Sequence, residues 1–310
     1  MRDAIRLEGI SKQIGQRQIL KNVTFAVEQG DIFGYLGPNG AGKTTTIRVI
    51  LGLMQATAGT VSILGRSASD DKTRQNFGFV LEFDGLYDNM TARGNLEYYA
   101  RIYGVSQPRD RIDRALDMVK LSDRAGDKVG TYSKGMRQRL ALARSMIHDP
   151  AVLILDEPTA GVDPTGQIEV RQIILDMAHK ESKTVFLSSH NLDEVSRICN
   201  RIALIHKGEL RLYGDLEKLR RERGKGLVTI ETLEPVAGSV LSELRARTGV
   251  SIHDSRDRTL VLSIGQGNAV GDIVSFLAQR GVKIEQVKRE EASLEEIYTT
   301  ILKEAEQRQG

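Results

Sequence analysis

The residues most suited to chemistry lie in the glycine-rich stretch "GPNGAGKTT" at 37–45. It matches the pattern G-x-x-x-x-G-K-[ST], in which glycines let successive backbone N–H groups curve around phosphate oxygens that a Cβ would obstruct. We expect Lys43 to reach the β- and γ-phosphates, Thr44 to bind Mg²⁺ through its hydroxyl, and Thr45 to add a donor. The predicted phosphate-binding residues are Gly37, Pro38, Asn39, Gly40, Ala41, Gly42, Lys43, Thr44 and Thr45.

Two acidic residues follow the apolar run of "VLILDEP" at 152–158. A buried strand would deliver both to its carboxyl end, which is where open α/β sheets bind their ligands. We expect Asp156 to hold Mg²⁺ through water, because Mg²⁺ keeps part of its hydration shell. Glu157 is one residue further along and points elsewhere, as suits a general base that polarises the attacking water.

A histidine, His190, follows another apolar run, "TVFLSS". Lone histidines more often have a structural role than a functional one. The predicted strand brings this one to the same sheet edge as Lys43 and Asp156. There it would hydrogen-bond a γ-phosphate and fix the attacking water, so we interpret it as a catalytic residue.

A second anion site is predicted where a helix begins in "TYSKGMRQRLALAR" at 131–144. Ser133 is suited to cap this helix, since its hydroxyl can accept from a free N–H of the first turn. Free N–H groups and the positive end of the helix dipole attract anions. The phosphate loop lies elsewhere, near residue 40, so these residues alone leave open which anion is bound.

These residues need a sheet to position them, and the apolar pattern predicts one. It predicts short strands over 5–33 with turns at Gly15 and Gly30, a strand at 32–36, a helix over 45–54, helices at 93–103, 108–120 and 133–148, strands at 151–156 and 184–188 with a helix at 165–180 between them, and two strands within 201–214. Uninterrupted apolar runs are typical of strands buried on both faces of a parallel sheet. Residues 1–217 are therefore predicted to form a nucleotide-binding α/β domain with a helical insertion at about 85–150.

The sequence changes character after the basic stretch "KLRRERGKG" at 218–226, which we interpret as a solvated linker. Residues 227–310 are predicted to form a small α+β domain, for which a ferredoxin-like order is one possibility. The pattern predicts strands in "GLVTIET", "RTLVLSI" and "VKIEQVKRE" and helices at 234–248 and 268–280. The last helix, "SLEEIYTTILKEAEQ", begins with a capping box of Ser293 and Glu296.

The composition is that of an ordinary globular protein, with 40% hydrophobic residues, 27% charged residues and a net charge of +3. Charges of both signs are mixed, so nucleic acid is not an expected partner. The single cysteine, Cys199, excludes an internal disulfide and is expected to fill the core. No apolar run approaches the ~18 residues of a membrane span and the N-terminus lacks a signal-peptide core, so we expect a cytosolic chain unless a partner holds it at a membrane.

The order of the motifs resembles that of the nucleotide-binding subunits of ATP-binding cassette (ABC) transporters. The chain shows, in turn, "GPNGAGKTT", "YSKGM" before "RQRLALARSMIHDP", "VLILDEPTAGVDP" and "LSSHNLDEV". This resemblance covers about 1–215, and the tail "EEASLEEIYTTIL" is similar to that of the bacterial multidrug and antibiotic export subfamily. It implies an α/β P-loop NTPase cassette, with a RecA-like core, an antiparallel β subdomain and a helical subdomain, followed by a small C-terminal α+β domain.

The resemblance also implies a function. It implies a dimeric ATPase, peripheral to the cytoplasmic face of the cell membrane, with ATP and Mg²⁺ as cofactors and a transmembrane permease as partner. Two subunits would meet head to tail, so that Ser133 and Gly135 of "YSKGM" bind the γ-phosphate held by the other subunit. Asp163 in "AGVD" would communicate across the interface, and a groove near Glu82–Tyr87 would pass closure to the permease.

Two positions depart from the pattern of this family. Glu82 stands where a glutamine usually contacts Mg²⁺ and the water. A carboxylate can still ligate Mg²⁺, but it adds negative charge beside a triphosphate. Ile14 falls near the position of the aromatic residue that usually stacks on adenine, and it can pack against the base without offering a π-face.

Three other functions stay open at this stage. A soluble ATPase of translation or DNA repair usually carries two cassettes or a long coiled coil, and the sequence has neither pattern. A nucleotide-gated binding module would not need Glu157 and His190. An importer subunit would usually have a different C-terminal domain.

Overall fold

The computed structural model describes residues 2–223, 227–263, 270–289 and 292–307, apart from the side chains of residues 71 and 305–307. Within these ranges the chain divides into two compact units. The second unit is Glu217–Lys303, and the residues before and after it belong to the first. No helix within the described ranges is both long and apolar enough to span a bilayer.

The first unit contains most of the regular structure. Its elements in chain order are β1 (Asp3–Ile14), β2 (Arg17–Glu28), β3 (Ile32–Leu36), α1 (Lys43–Ile50), β4 (Ala58–Ile63), β5 (Arg66–Ser67), β6 (Phe77–Val80), α2 (Ala92–Ile102), α3 (Pro108–Met118), α4 (Lys134–Met146), β7 (Val152–Asp156), α5 (Pro164–His179), β8 (Thr184–Ser189), α6 (Leu192–Ile198), β9 (Arg201–His206) and β10 (Glu209–Asp215).

The main sheet has six strands in the order β10-β9-β3-β8-β7-β6. All neighbours are parallel except β10, which pairs antiparallel with β9. Every residue of β3, β7 and β8 is buried, as expected for strands covered on both faces. These three strands therefore end at the same edge, which confirms the predicted parallel sheet.

A second sheet is antiparallel, in the order β2-β1-β4-β5. The prediction of short strands over 5–33 was wrong, because β1 and β2 have twelve residues each and are joined by a turn at Gly15, whose φ is +57°. The pattern also gave no sign of β4. Its first three residues are exposed, so it lacks the apolar alternation that identifies a half-buried strand.

The helical insertion is confirmed by α2, α3 and α4. Ser133 caps α4, since the Met136 N–H donates to the Ser133 Oγ at 3.2 Å. The helix after the phosphate loop ends at Ile50, before the predicted end, because Gly52 takes a left-handed φ of +67°. Cys199 is buried as expected, but it lies just after α6 and not within it.

The second unit has the strand–helix–strand–strand–helix–strand order of a ferredoxin-like domain. Its elements are α7 (Leu216–Arg223, whose first residue belongs to the first unit), β11 (Leu227–Thr232), α8 (Gly238–Thr248), β12 (Ser251–Arg256), β13 (Thr259–Ser263), α9 (Val270–Gln279), β14 (Ile284–Arg289) and α10 (Leu294–Gln307). The antiparallel sheet has the order β12-β13-β11-β14, which confirms the ferredoxin-like expectation. The pattern missed β12, because "SIHDSR" is almost wholly polar.

Two local predictions in this unit have different outcomes. The capping box is confirmed, since the Ser293 N–H donates to Glu296 Oε2 at 2.9 Å and the Glu296 N–H donates to Ser293 Oγ at 3.2 Å. The stretch predicted as a linker at 218–226 is helical through Arg223, and residues 224–226 lie outside the described residues. Helix-stabilising pairs explain the difference, because Arg221 Nη2 lies 3.2 Å from Glu217 Oε2 one turn earlier.

Each unit has its own cluster of buried apolar side chains. We therefore predict that a chain ending at Arg223 folds and binds ATP. Circular dichroism would measure its thermal unfolding with and without Mg²⁺-ATP, with the full chain as the control. An insoluble product, or one that melts far below the full chain and gains nothing from nucleotide, would show that the second unit completes the core of the first.

Candidate functional site

The carboxyl ends of the buried strands border an open cleft of about 640 Å³. The residues that line it are Arg17, Ile19, Asn39, Gly40, Gly42, Lys43, Thr44, Thr45, Glu82, Asp156, Glu157, Ala160 and His190. The structure thus brings the phosphate loop, both acidic residues, the histidine and Glu82 to one place. These groups come from four separate parts of the chain, as the order of strands in the sheet requires.

The backbone of the phosphate loop explains its glycines. A Cβ added at Gly37 would lie 2.4 Å from the carbonyl oxygen of Ile205, so no side chain fits there. Gly42 has a φ of +114°, which L side chains rarely adopt. Ala41 is buried, and its N–H donates to the Pro38 carbonyl at 3.1 Å. Gly37, Pro38 and Ala41 therefore shape the loop, and they are not among the residues that line the cleft.

Lys43 begins α1 and is almost fully buried. Its Nζ donates to the carbonyl oxygens of Gly37 at 2.7 Å and Pro38 at 3.4 Å. The same ammonium lies 3.3 Å from Oε1 of Glu157. Two carbonyl oxygens of the loop therefore hold the Lys43 ammonium in place. Its positive charge lies on the cleft, where a phosphate group would be bound.

Asp156 ends β7 and is buried beside Thr44 and Ser188. The Ser188 Oγ donates to Asp156 Oδ1 at 2.5 Å. Burial raises the pKa of Asp156, while hydrogen bonds from Ser188 and Thr44 act in the opposite direction. The ionised carboxylate is therefore poorly solvated in the folded chain, and a cation bound next to it would be strongly stabilising.

The residues of the cleft suit Mg²⁺. Mg²⁺ is typically bound by one or two carboxylates together with substrate phosphates and water, so it needs no cage of protein ligands. Thr44 and Asp156 offer adjacent hard oxygen donors, and Glu82 lies on the same cleft. In the part of the chain that the structure describes, no three His, Cys, Asp or Glu side chains are grouped as a metal cage. Thr44 and Asp156 would hold the ion, which would neutralise the phosphates when bound.

Glu157 is placed with its carboxylate between two basic side chains. Its Oε1 faces Lys43, and its Oε2 lies 2.7 Å from Nδ1 of His190. The backbone of Glu157 has an unusual φ of +50°, and its N–H donates to Ser188 Oγ at 3.0 Å. This conformation aims the side chain into the cleft. A carboxylate held in this way, next to a histidine, can take a proton from a water molecule that approaches a bound phosphate.

A second group of predicted residues does not line this cleft. Ser133 and Gly135 lie at the start of α4, and a Cβ added at Gly135 would be 3.3 Å from Cγ1 of Val162. Asp163 caps α5, where its Oδ2 accepts from the Gly166 N–H at 3.2 Å. Ser133, Gly135 and Asp163 thus lie together where the starts of α4 and α5 meet. Within one chain, they are not among the residues that surround the phosphate loop.

The contact with the adenine ring that was expected of Ile14 is not seen among the residues that line the cleft. Ile14 is 49% exposed and pairs with Arg17 across β1 and β2. It does not line the cleft, whereas Arg17 and Ile19 do. Sequence reasoning missed these two residues and also Ser188. The only signal for Ser188 was its position at the end of a buried strand, next to His190.

Comparison with known proteins identifies the family. The family model described as "ABC transporter" matches residues 20–160, and the model described as "ATP-binding protein DrrA1-3-like, C-terminal domain" matches residues 214–301. The ABC transporter ATP-binding protein YhcH of Bacillus subtilis is 36% identical over 302 residues, which cover 96% of this chain and 95% of that protein. The chain belongs to the ATP-binding proteins of ABC transporters.

Further relatives agree with this assignment. The bacitracin transport ATP-binding protein BcrA of Bacillus licheniformis is 33% identical over 304 residues, which cover 97% of this chain and 98% of that protein. A solved ATP-binding subunit of an ABC transporter superposes with a TM-score of 0.64 at 29% identity, covering 71% of this chain and 92% of that one. The dimeric, post-hydrolysis cassette MJ0796, bound to ADP and Pi, has a TM-score of 0.62 at 27% identity, covering 68% and 98%. The P-loop cassette fold is confirmed, and this ABC subunit is an ATPase.

The buried Asp156 gives a testable prediction. Because its pKa is raised in the folded chain, its ionised form opposes folding, and this unfavourable contribution disappears as the pH falls through the raised pKa. Asp156→Asn should therefore melt at the same or a higher temperature than the wild type without nucleotide at neutral pH. It should also lose the extra stabilisation that Mg²⁺ gives in the presence of ATP.

Thermal unfolding with ATP, with and without Mg²⁺, would test both parts. The control is Thr184→Ser, a change of a buried polar residue on β8 that does not line the cleft. An Asp156→Asn protein that gains as much from Mg²⁺ as the wild type would show that the ion is held elsewhere.

Proposed function

We propose that this chain is the ATP-hydrolysing subunit of a membrane exporter of antibiotics or other hydrophobic compounds. It works as a head-to-tail dimer with a second copy of itself, bound peripherally to a transmembrane permease at the cytoplasmic face of the cell membrane. Mg²⁺-ATP closes the dimer. Hydrolysis by a water molecule that Glu157 activates, with His190, opens it again.

One observation carries this proposal: the residues expected to bind ATP form two separate groups. The phosphate loop, Asp156 and Glu157 line the cleft, whereas Ser133 is exposed at the start of α4, with the buried Gly135 two residues after it. A capped helix start with a glycine in its first turn offers N–H groups to a phosphate. A second subunit in the opposite orientation would bring that surface to the open side of the cleft. The two groups would then complete two identical sites.

The surface beside Glu82 supports a contact with a permease. Phe83 follows Glu82 and is 85% exposed. Nearby, Tyr87 and Tyr98 stack edge to face with ring centroids 5.0 Å apart, and both are partly exposed. Aromatic side chains of this kind dominate the energy of protein interfaces. Movement there would reach the cleft directly through Glu82.

The comparisons favour export of antibiotics over the other functions. Two relatives of nearly full-length coverage are bacitracin transport ATP-binding proteins, and another is the linearmycin resistance protein LnrL of Bacillus subtilis. The match of the second unit to a DrrA1-3-like domain points in the same direction. A nucleotide-gated module without catalysis would not need Glu157 positioned between Lys43 and His190.

The proposed base gives the first test. Glu157→Gln should bind ATP normally but hydrolyse it about 10²–10⁴-fold more slowly, because it keeps the shape of the residue and removes the base. With Mg²⁺-ATP it should accumulate as a closed dimer, which light scattering would detect by mass. Turnover close to that of the wild type would assign the role of base to another residue.

The shared site gives the second test. Gly135→Asp would add a negative charge to the first turn of α4, beside the N–H groups that a phosphate must approach, so hydrolysis should fall to background while each chain still binds ATP. Lys43→Ala should also be inactive. In a mixture, a head-to-tail heterodimer has both defects in one site and neither in the other. The mixture should therefore regain part of the activity.

Cross-linking must show that heterodimers are present in this mixture. Ser133→Ala distinguishes the two roles of this residue: if Ser133 only caps α4, the change should cost about 1 kcal/mol of stability and little activity. If verified heterodimers of Gly135→Asp and Lys43→Ala remain inactive, the shared site is refuted.

A further inference from the structure

Two arginines of α4 lie beside the segment of residues 82–88, which we call the Glu82 segment. It connects β6 of the main sheet to the helical insertion, and it contains both Glu82 and the exposed Phe83. Arg137 and Arg144 are seven residues apart, so they lie on the same face of the helix, two turns from each other.

Arg137 binds two acidic residues of the segment. Its Nε donates to Asp84 Oδ2 at 2.7 Å and its Nη2 to Asp84 Oδ1 at 3.1 Å, which is the forked geometry of an arginine–carboxylate pair. Its Nη1 donates to Asp88 Oδ1 at 2.5 Å. The Arg137 and Asp84 side chains are 26% and 22% exposed, so water screens this pair less than an ordinary surface pair.

Arg144 lies beside the same segment, close to Gly85. It is buried, its Nη2 donates to the Phe79 carbonyl at 2.8 Å, and its guanidinium lies over the ring of Tyr99. A Cβ added at Gly85 would lie 2.8 Å from Nη1 of Arg144, so the segment passes close to this arginine. Tyr99, on which Arg144 stacks, donates from its hydroxyl to the Gly85 carbonyl at 2.5 Å, and this bond holds the segment independently of Arg137.

A third contact fixes the far end of the segment. Buried Asn95 of α2 accepts from the Tyr87 N–H at 2.8 Å and donates to the Tyr87 carbonyl at 3.1 Å. Because Tyr99 and Asn95 hold the segment at two other points, loss of Arg137 should release the link to the start of α4 without unfolding the insertion.

The position of Arg137 connects the two groups of site residues. It lies one turn after Ser133 on α4, and its partner Asp84 lies two residues after Glu82, which lines the cleft. Three charged hydrogen bonds therefore join the helix start that would meet the other subunit's nucleotide to the segment beside the chain's own nucleotide. This link is not needed to cap α4, because Ser133 already caps the helix.

We propose that Arg137 is a positioning residue for the nucleotide of the other subunit. By binding Asp84 and Asp88, it fixes the first turn of α4, and with it Ser133 and Gly135, at the orientation that the closed dimer needs. A displacement of the Glu82 segment would therefore affect both the ATP bound by this chain and the ATP bound by the partner subunit. This inference rests on the head-to-tail dimer of the proposed function.

The test is whether the defect acts in the other subunit. Arg137→Ala should keep the ATP affinity of the wild type, measured without Mg²⁺, and lower kcat by about 10²-fold, as misplacement of a binding group by about 1 Å can do. Mixed with Lys43→Ala, it should regain part of the activity. In that heterodimer, the intact phosphate loop of the Arg137→Ala chain meets an intact α4 from its partner.

A second variant keeps α4 unchanged. Asp84→Asn combined with Asp88→Asn removes the charges that bind Arg137 and should reproduce the loss of kcat and its recovery in the mixture. The control is Arg93→Ala, which breaks an arginine–aspartate pair with Asp113 elsewhere in the helical insertion and should leave kcat unchanged. Melting temperatures of all variants identify any that fail to fold.

The outcomes separate this inference from the proposed function. A wild-type kcat for Arg137→Ala, or for the double aspartate variant, would overturn the inference. If verified heterodimers of Gly135→Asp with Lys43→Ala regain activity and those of Arg137→Ala do not, Arg137 acts on its own cleft through Glu82, and only this inference is overturned. If neither pair regains activity, the shared site is refuted and the inference with it.

Discussion

The geometry of the cleft depends on one hydroxyl group, that of Ser188. This residue lies on β8 in register with Asp156 of β7. Its Oγ donates to the Asp156 carboxylate at 2.5 Å and accepts from the Glu157 N–H at 3.0 Å. A single oxygen atom thus fixes both the carboxylate that faces the metal position and the backbone that aims the proposed base. Without it, the buried carboxylate would lose a partner, at a cost of about 1–3 kcal/mol.

The charges around the cleft favour the binding of a divalent cation together with the nucleotide. Three carboxylates, from Glu82, Asp156 and Glu157, share the lining with the cations Lys43 and Arg17. A triphosphate without a metal would meet this surplus of negative charge in a partly desolvated place, where like charges repel strongly. A divalent cation held by Thr44 and Asp156 would offset this charge. Glu82, which stands where the family usually has glutamine, would add to the negative charge that the cation has to offset.

Much of this site could be predicted from the sequence, because its main residues are attached to strong local signals. The phosphate loop, Asp156 and His190 each follow an uninterrupted apolar run, and such runs become the buried strands that end at one edge. Arg17 and Ile19 could not be found in this way, since only the packing of the antiparallel sheet brings them to the cleft. The polar strand β12 and the basic helix α7 were missed because cross-strand pairing and salt bridges stabilise them, and neither leaves an apolar period.

The backbone of Glu157 has a consequence for the evolution of this subunit. A non-glycine residue at a φ of +50° carries a strain of about 1–3 kcal/mol, which the bonds to Ser188 maintain. Glycine at this position would relieve the strain and remove the carboxylate. For a chain in which Glu157 acts as the proposed base, stability and turnover would therefore compete at this residue. The strained backbone is a cost in stability that the proposed catalytic role would require.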